Sequence, residues 1–277
     1  MTNQNDYRTA WLKAHKIYER RIYKIFRKYF VDSANSINFN FLTETNYEAQ
    51  INADIKIFDI YKAYYDAYLS VGITHGNKVG KGINKEIKDF NPIAFETEYQ
   101  RNLYNWILDN LGQSIVSIHD TFKKHIIQII ANGIQEGLTI EQISAKMVKL
   151  INSRSFYRWQ ALRIARTETT SAANHAAMTA GDISGIVLQK VWISATDNRT
   201  RRIPRDAFDH LHMNGKRVDK DKPFEVPNKL GYIELLPYPS SKKTQSGSLT
   251  NASNAINCRC TAALVPKRDS NGRIIRV

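Results

Sequence analysis

His210, His212, Cys258 and Cys260 are two imidazoles and two thiols, the borderline and soft donors that suit a zinc ion. A single residue separates the members of each pair, whereas tetrahedral zinc sites usually draw on cysteine pairs about two to four residues apart. On strands, alternate residues share one face, so each pair would present both side chains together. The spacing argues for no cofactor, with zinc the metal these residue types would take. A Cys258–Cys260 disulfide is not expected in a reducing compartment. A second group of polar residues centres on the stretch from Ala161 to Arg201. Arg163, Arg166 and Glu168 stand on an Ala- and Thr-rich helical segment, where a buried charge requires a partner. Asp197 and Arg199, leaving the next strand, are the expected partners. The group is then either a phosphate- or substrate-facing site or a salt-bridge network that holds the fold, and the network is the preferred reading. His210 with Glu168, helped by Arg199 or Arg201, has the residue types for metal-independent acid–base cleavage of RNA. A structural histidine is the simpler reading. The sequence contains no glycine-rich phosphate loop, His-Glu-x-x-His, Gly-x-Ser-x-Gly or Asp-rich calcium loop.

The elements that must position these residues change character along the chain. Tyr7 to Phe30 is predicted as an amphipathic helix, with Tyr7, Trp11, Ala14, Tyr18, Ile25 and Tyr29 on one stripe, widened by Ile22 and Phe26. Its opposite face carries Lys13, Lys16, Arg20, Arg21, Lys24, Arg27 and Lys28 against Glu19 alone, a surface for DNA or an acidic partner. Val31 to Thr45 reads as a loop. A second helix is predicted from Asn46 to about Lys81, where Gly72, Gly76 and Gly80 fall on one face and mark close approach by another element. Pro92 opens a third helix running to about Gln135, with Gly112 as a candidate kink. Thr139 and Gln142 have capping-box spacing ahead of a short helix. The Ala161 helix ends at Gly181 and Gly185, and a β-branched run with Trp192 follows. After Arg201, prolines cluster and Asn214-Gly215 signals a turn. Ser240 to Asn254 reads as a mobile excursion, Cys258 to Val265 as a closing strand, and the last residues as a basic tail.

The fold class is therefore α+β and predominantly helical. A helical region over residues 1–155 precedes a small α+β domain with short antiparallel strands over residues 156–277. The 277 residues include 42% hydrophobic, a little below the usual globular level, and 24% charged, which is ordinary, but carry a formal charge of +14. That charge favours nucleic acid or acidic surfaces and says nothing about fold. Two cysteines exclude a disulfide scaffold, and no segment has the apolar length of a membrane span. With no secretory pattern at the N-terminus, synthesis in the cytoplasm is expected.

The order Arg163-Ile164-Ala165-Arg166-Thr167-Glu168, Trp192, Asp197-Asn198-Arg199-Thr200-Arg201, His210-Leu211-His212-Met213-Asn214-Gly215 and Asn257-Cys258-Arg259-Cys260 resembles the phage Mu protein F-like family. These are minor head, or head morphogenesis, proteins of tailed double-stranded DNA phages. The resemblance covers roughly Gly137 to Val265. It implies that Arg166, Glu168, Trp192, Asp197, Arg199, Arg201, His210 and Gly215 hold the family domain together and that no residue is catalytic. It further implies a low-copy virion component, in the head interior or at the portal vertex. Expected partners are the portal or major coat protein and phage double-stranded DNA, without a membrane. Two departures weaken a metal site: many members have a Cys-x-x-Cys pair where this chain has Ile203-Pro204-Arg205, and His-Pro where it has Ala255-Ile256. The rival readings are a nucleic-acid-binding module and a nuclease using His210 and Glu168.

Overall fold

The aromatic stripe near the N-terminus becomes the buried side of α1, Gln4–Asn35. Trp11, Tyr18, Ile22, Phe26 and Tyr29 are at most 5% exposed, while Lys16, Arg20 and Lys24 face solvent. A computed structural model describes residues 3–87 and 90–277. Helix α1 runs past the predicted end at Phe30, and much of the predicted loop after it is helical, including a 3₁₀ turn at Phe39–Phe41.

The single helix expected from Asn46 is two: α2, Tyr47–Asp54, and α3, Ile57–Ile87. Ile55 leaves α2 in extended conformation and is buried at 1% exposure. The Asp54 carboxylate accepts from the Asn38 N–H and the Gln50 amide, both at 2.9 Å, which fixes the turn. Helical periodicity alone does not reveal such a break, because burying Ile55 depends on elements distant in sequence.

Helix α4, Pro92–Gln135, is capped by the Asn91 side chain, which accepts from the Ile93 and Ala94 N–H groups. It continues unbroken through Gly112, where no interruption interferes with its length. The glycine row of α3 is explained by α4 and the residues leading into it. A Cβ on Gly72 would lie 2.1 Å from the Tyr99 hydroxyl, and one on Gly76 2.0 Å from the tip of Phe95. Gly80 stands in the same relation to Phe90. The close neighbours are buried aromatic rings rather than a second backbone. Gly76→Ala is therefore expected to lose stability: overpacking costs about 1–3 kcal/mol and outweighs the ~1 kcal/mol of helix propensity gained. Gly82, with nothing within 4 Å of its would-be Cβ, is expected to show the opposite sign on substitution by Ala. Urea midpoints of the two variants check this; equal shifts would mean that the rings move aside.

Helix α5, Ile140–Asn152, begins with the predicted capping box: the Thr139 hydroxyl accepts from Gln142 N–H, and Gln142 accepts from Thr139 N–H. Helix α6, Arg158–Asp182, runs through the middle of the molecule, packed against α1, α3 and β5. Ala161, Ala165, Ala172, Ala173, Ala176 and Ala180 are all fully buried. Small side chains around the helix let neighbours approach from several directions, as a helix buried on most faces requires. The helical core thus extends beyond residue 155 and takes in the first helix of the C-terminal region.

Three antiparallel strands follow, with β1 (Leu188–Ile193) between β2 (Arg217–Asp219) and β5 (Thr261–Pro266). The β1–β5 register pairs Lys190 with Leu264 and Trp192 with Ala262. β3 (Phe224–Pro227) and β4 (Ile233–Leu236) form a separate hairpin. Trp192, Phe208, Met213, Phe224, Val226 and Leu236 make a second core, into which Cys258 and Cys260 project.

Two segments expected to be loose are pinned. Within Ser240 to Asn254, Ser240 and Asn254 are fully buried, the Lys242 ammonium reaches Glu168, and a short α7 forms at Ala252–Ala255. The C-terminal residues fold back: Val187 N–H donates to Ile275 and Val277 N–H to Gly185. In both, backbone groups find partners in segments far away in sequence, which polar composition does not disclose. Among the described residues no helix is long and apolar enough to cross a membrane.

Candidate functional site

The Asn257–Ala262 segment is held by a polar stripe on α6 at spacings of three and four residues, one helical face. The Thr167 hydroxyl accepts from Asn257 N–H at 3.1 Å, and the Thr170 hydroxyl donates to the Cys258 carbonyl at 2.5 Å. The Asn174 amide donates to the carbonyls of Pro239 and Cys260, and its oxygen accepts from Ala262 N–H at 2.9 Å and the Thr261 hydroxyl at 3.0 Å. From α1, the Trp11 indole donates to the Arg259 carbonyl at 2.8 Å. Sequence reasoning missed Thr167, Thr170 and Asn174. Their signal was there: three hydrogen-bonding side chains at helical spacing on one face of an alanine-rich helix.

This grip brings Cys258 and Cys260 to His210. All three are at most 3% exposed, and their ligand atoms lie within 4.8 Å of one another. His210 Nδ1 is 3.6 Å from each sulfur. Its Nε2 is 2.5 Å from Asn254 Oδ1, and the Asn254 amide donates to Glu234 at 2.6 Å. The Cys260 N–H donates to Cys258 Sγ at 3.4 Å. The two thiols are driven apart. The hydrogen bond from Cys260 and the neighbouring His210 hold Cys258 well below the ordinary thiol range, while burial and Cys258 push Cys260 well above it. His212, the fourth residue of the sequence set, is exposed and outside the cluster. Its backbone N–H donates to the Asp209 carboxylate at 2.8 Å, and the chain turns its side chain outward.

The expected Arg166–Glu168–Asp197–Arg199 network does not form. Arg166 pairs with Glu19 of α1 at 3.1 Å. Glu168, buried at 4% exposure, accepts from Lys242 at 2.7 Å and from the Tyr68 hydroxyl at 2.8 Å. Asp197 accepts from Arg259 at 2.6 Å and from the Arg199 N–H at 3.1 Å. Burial pushes the Asp197 carboxyl up, but Arg259 and the Arg199 N–H more than offset this and hold it below the usual range. The Arg199 side chain is exposed. The reason is helical geometry: residues two apart on α6 point in different directions, so Arg166 and Glu168 meet different neighbours. Arg201 donates to the Ile256 carbonyl, and its own carbonyl accepts from His210 and Leu211 N–H. Gly215, at φ +83°, donates to the Trp192 carbonyl and closes the turn into β2. Trp192 is fully buried and meets His210 edge to face at 5.3 Å. The acid–base pair fares no better, since His210 and Glu168 are each buried and bonded to other partners.

A family model described as Phage Mu protein F like protein matches residues 124–263, half of the chain. The chain belongs to the phage Mu protein F-like family. No curated protein and no solved structure matches it. Membership places the chain among phage head-morphogenesis proteins and associates it with the virion. The Mu F-like region begins inside α4, earlier than the motifs alone indicated, and ends in β5. It contains the whole His–Cys cluster and the α6 stripe that grips it.

The basic face of α1 lies outside the Mu F-like region but meets it. An open groove of about 900 Å³ runs between α1 and the α5–α6 connection. Lys16, Arg20, Lys24, Arg27 and Lys28 line it from α1, and Arg154 and Arg158 from the Mu F-like side, against Glu19 and Asp32. Arg27 donates to the Ser153 carbonyl at 2.9 Å, and Lys28 pairs with Asp32. Lys13 and Arg21 do not line the groove; Arg21 reaches Thr74 at 3.2 Å.

Proposed function

We propose that the protein is a minor, non-enzymatic component of a tailed-phage head that acts during procapsid assembly near the portal and contacts DNA through the groove between α1 and the α5–α6 connection. The observation that carries this reading is the groove's charge: seven cationic side chains line it against two carboxylates. A predominantly positive channel on a chain of net charge +14 matches the phosphate backbone without requiring base contacts. The cations come from both α1 and the family region, so the surface needs both parts of the chain.

Binding of this kind is expected to be independent of sequence and steep in salt. With about five phosphates neutralised, log K falls with log salt at a slope of roughly −4.5. Each substitution among Lys16, Arg20 and Lys24 by alanine should flatten that slope by about one. Fluorescence anisotropy on a duplex across a salt series checks this. Loss of affinity without change of slope, or tight binding to an acidic protein and none to DNA, would assign the groove to a protein partner. The assembly role is tested by sedimenting an infected-cell lysate and following the chain by mass spectrometry. Co-migration with procapsids at low copy supports it; recovery only in the soluble fraction overturns it.

A further inference from the structure

We propose that His210, Cys258 and Cys260 form a three-residue site for one thiophilic divalent metal ion, zinc in the first instance, with Asn254 and Glu234 as its positioning residues. The geometry around His210 Nδ1 carries the assignment. At the tetrahedral angle, metal–sulfur bonds of about 2.3 Å and metal–nitrogen bonds of about 2.0–2.1 Å put nitrogen and sulfur about 3.6 Å apart. Both sulfurs stand at 3.6 Å from Nδ1. A single imidazole lone pair accepts one S–H hydrogen bond; two sulfurs at the same distance from it converge on a common point.

The hydrogen bonds behind the cluster settle which imidazole nitrogen is available. A carboxylate only accepts, so Glu234 turns the Asn254 NH₂ toward itself, at 2.6 Å. That leaves Asn254 Oδ1 facing His210 Nε2 at 2.5 Å, and the oxygen needs a proton there. Nε2 therefore carries the hydrogen, and Nδ1 presents its lone pair to the sulfurs. This is the arrangement by which neighbours orient a metal-bound histidine. The Cys260 N–H directed at Cys258 Sγ supports a thiolate on the same side. Burial makes the charge balance matter: both thiols lose their protons to solvent on binding, and two thiolates with a divalent cation give a neutral unit inside the second core. Three protein ligands leave one coordination position for a water molecule. His212 takes no part; Cys258 and Cys260 follow the turn at Asn257, at φ +57°, and the Cys260 N–H to Cys258 Sγ contact at 3.4 Å keeps the two cysteines together despite their single-residue spacing.

The test uses the full-length chain, purified under reducing conditions without chelator. Elemental analysis should find one zinc per chain. Replacement by cobalt(II) should give thiolate-to-cobalt charge-transfer absorption and the intense visible bands of a four-coordinate ion. Cys258→Ser with Cys260→Ser should abolish the charge transfer, and His212→Ala should leave it unchanged. Asn254→Leu should weaken cobalt affinity about tenfold to a hundredfold while the bands persist. If the cysteine variant fails to fold, the wild-type cobalt spectrum with His212→Ala and Asn254→Leu still decides. A chain that stays metal-free in stoichiometric zinc, a cobalt spectrum without thiolate bands, bands that survive loss of both cysteines, or a Cys258–Cys260 disulfide in the reduced preparation would each overturn the proposal.

Discussion

Glu168→Ala is expected to destabilise the protein by about 3–5 kcal/mol, the cost of leaving a buried charge without its partner. The Lys242 side chain is 10% exposed and its ammonium is 2.7 Å from the Glu168 carboxylate, deep against α6. Tyr68, fully buried, donates to the other oxygen. With a total stability of roughly 5–15 kcal/mol for a typical domain, such a loss shows first as poor folding yield. The discriminating companion is Glu168→Leu with Lys242→Met. Removing both charges spares the uncompensated ammonium, so the double variant should recover most of the loss. Urea denaturation followed by circular dichroism compares them. A single variant no worse than the double would mean that Lys242 escapes to water, and that the pair does not tie the Ser240–Asn254 segment to the helical core.

Asn174→Ala is expected to be as damaging, for a different reason. Asn174 is fully buried and uses both ends of its amide. Its neighbours fix its orientation: Ala262 N–H can only donate, and the Pro239 and Cys260 carbonyls can only accept. Truncation strands these groups away from water at about 1–3 kcal/mol each. The sum reaches the ~4–5 kcal/mol that is exceptional for one substitution. Asn174→Asp should not rescue it, since a carboxylate would face two carbonyl oxygens. Hydrogen exchange locates the effect, with the Ala262 amide and the rest of β5 expected to lose protection before α1 or α3. An unchanged midpoint with unchanged exchange would show that water replaces the amide.

The periodic part of the molecule was legible in the residues themselves. The α1 stripe, the Pro92 start, the Thr139 capping box and the Gly185 turn rest on interactions within a few positions, so local chemistry specifies them. The order of short motifs from Arg163 to Cys260 likewise carried the family, which the match over residues 124–263 bears out. The partners of charged and polar side chains were not legible. Arg166 found Glu19, Glu168 found Lys242, and the break at Ile55 followed from its burial. The sequence offered His210, His212, Cys258 and Cys260 as equals, and only the fold separated His212 from the other three. Side-chain type and helical spacing are properties of one segment, and they determined the fold class, the family and the list of reactive groups. Which groups meet is decided where α6, the Asn257 turn and the Ser240–Asn254 segment pack together. Burial there makes each unpaired donor or charge costly enough to select its partner.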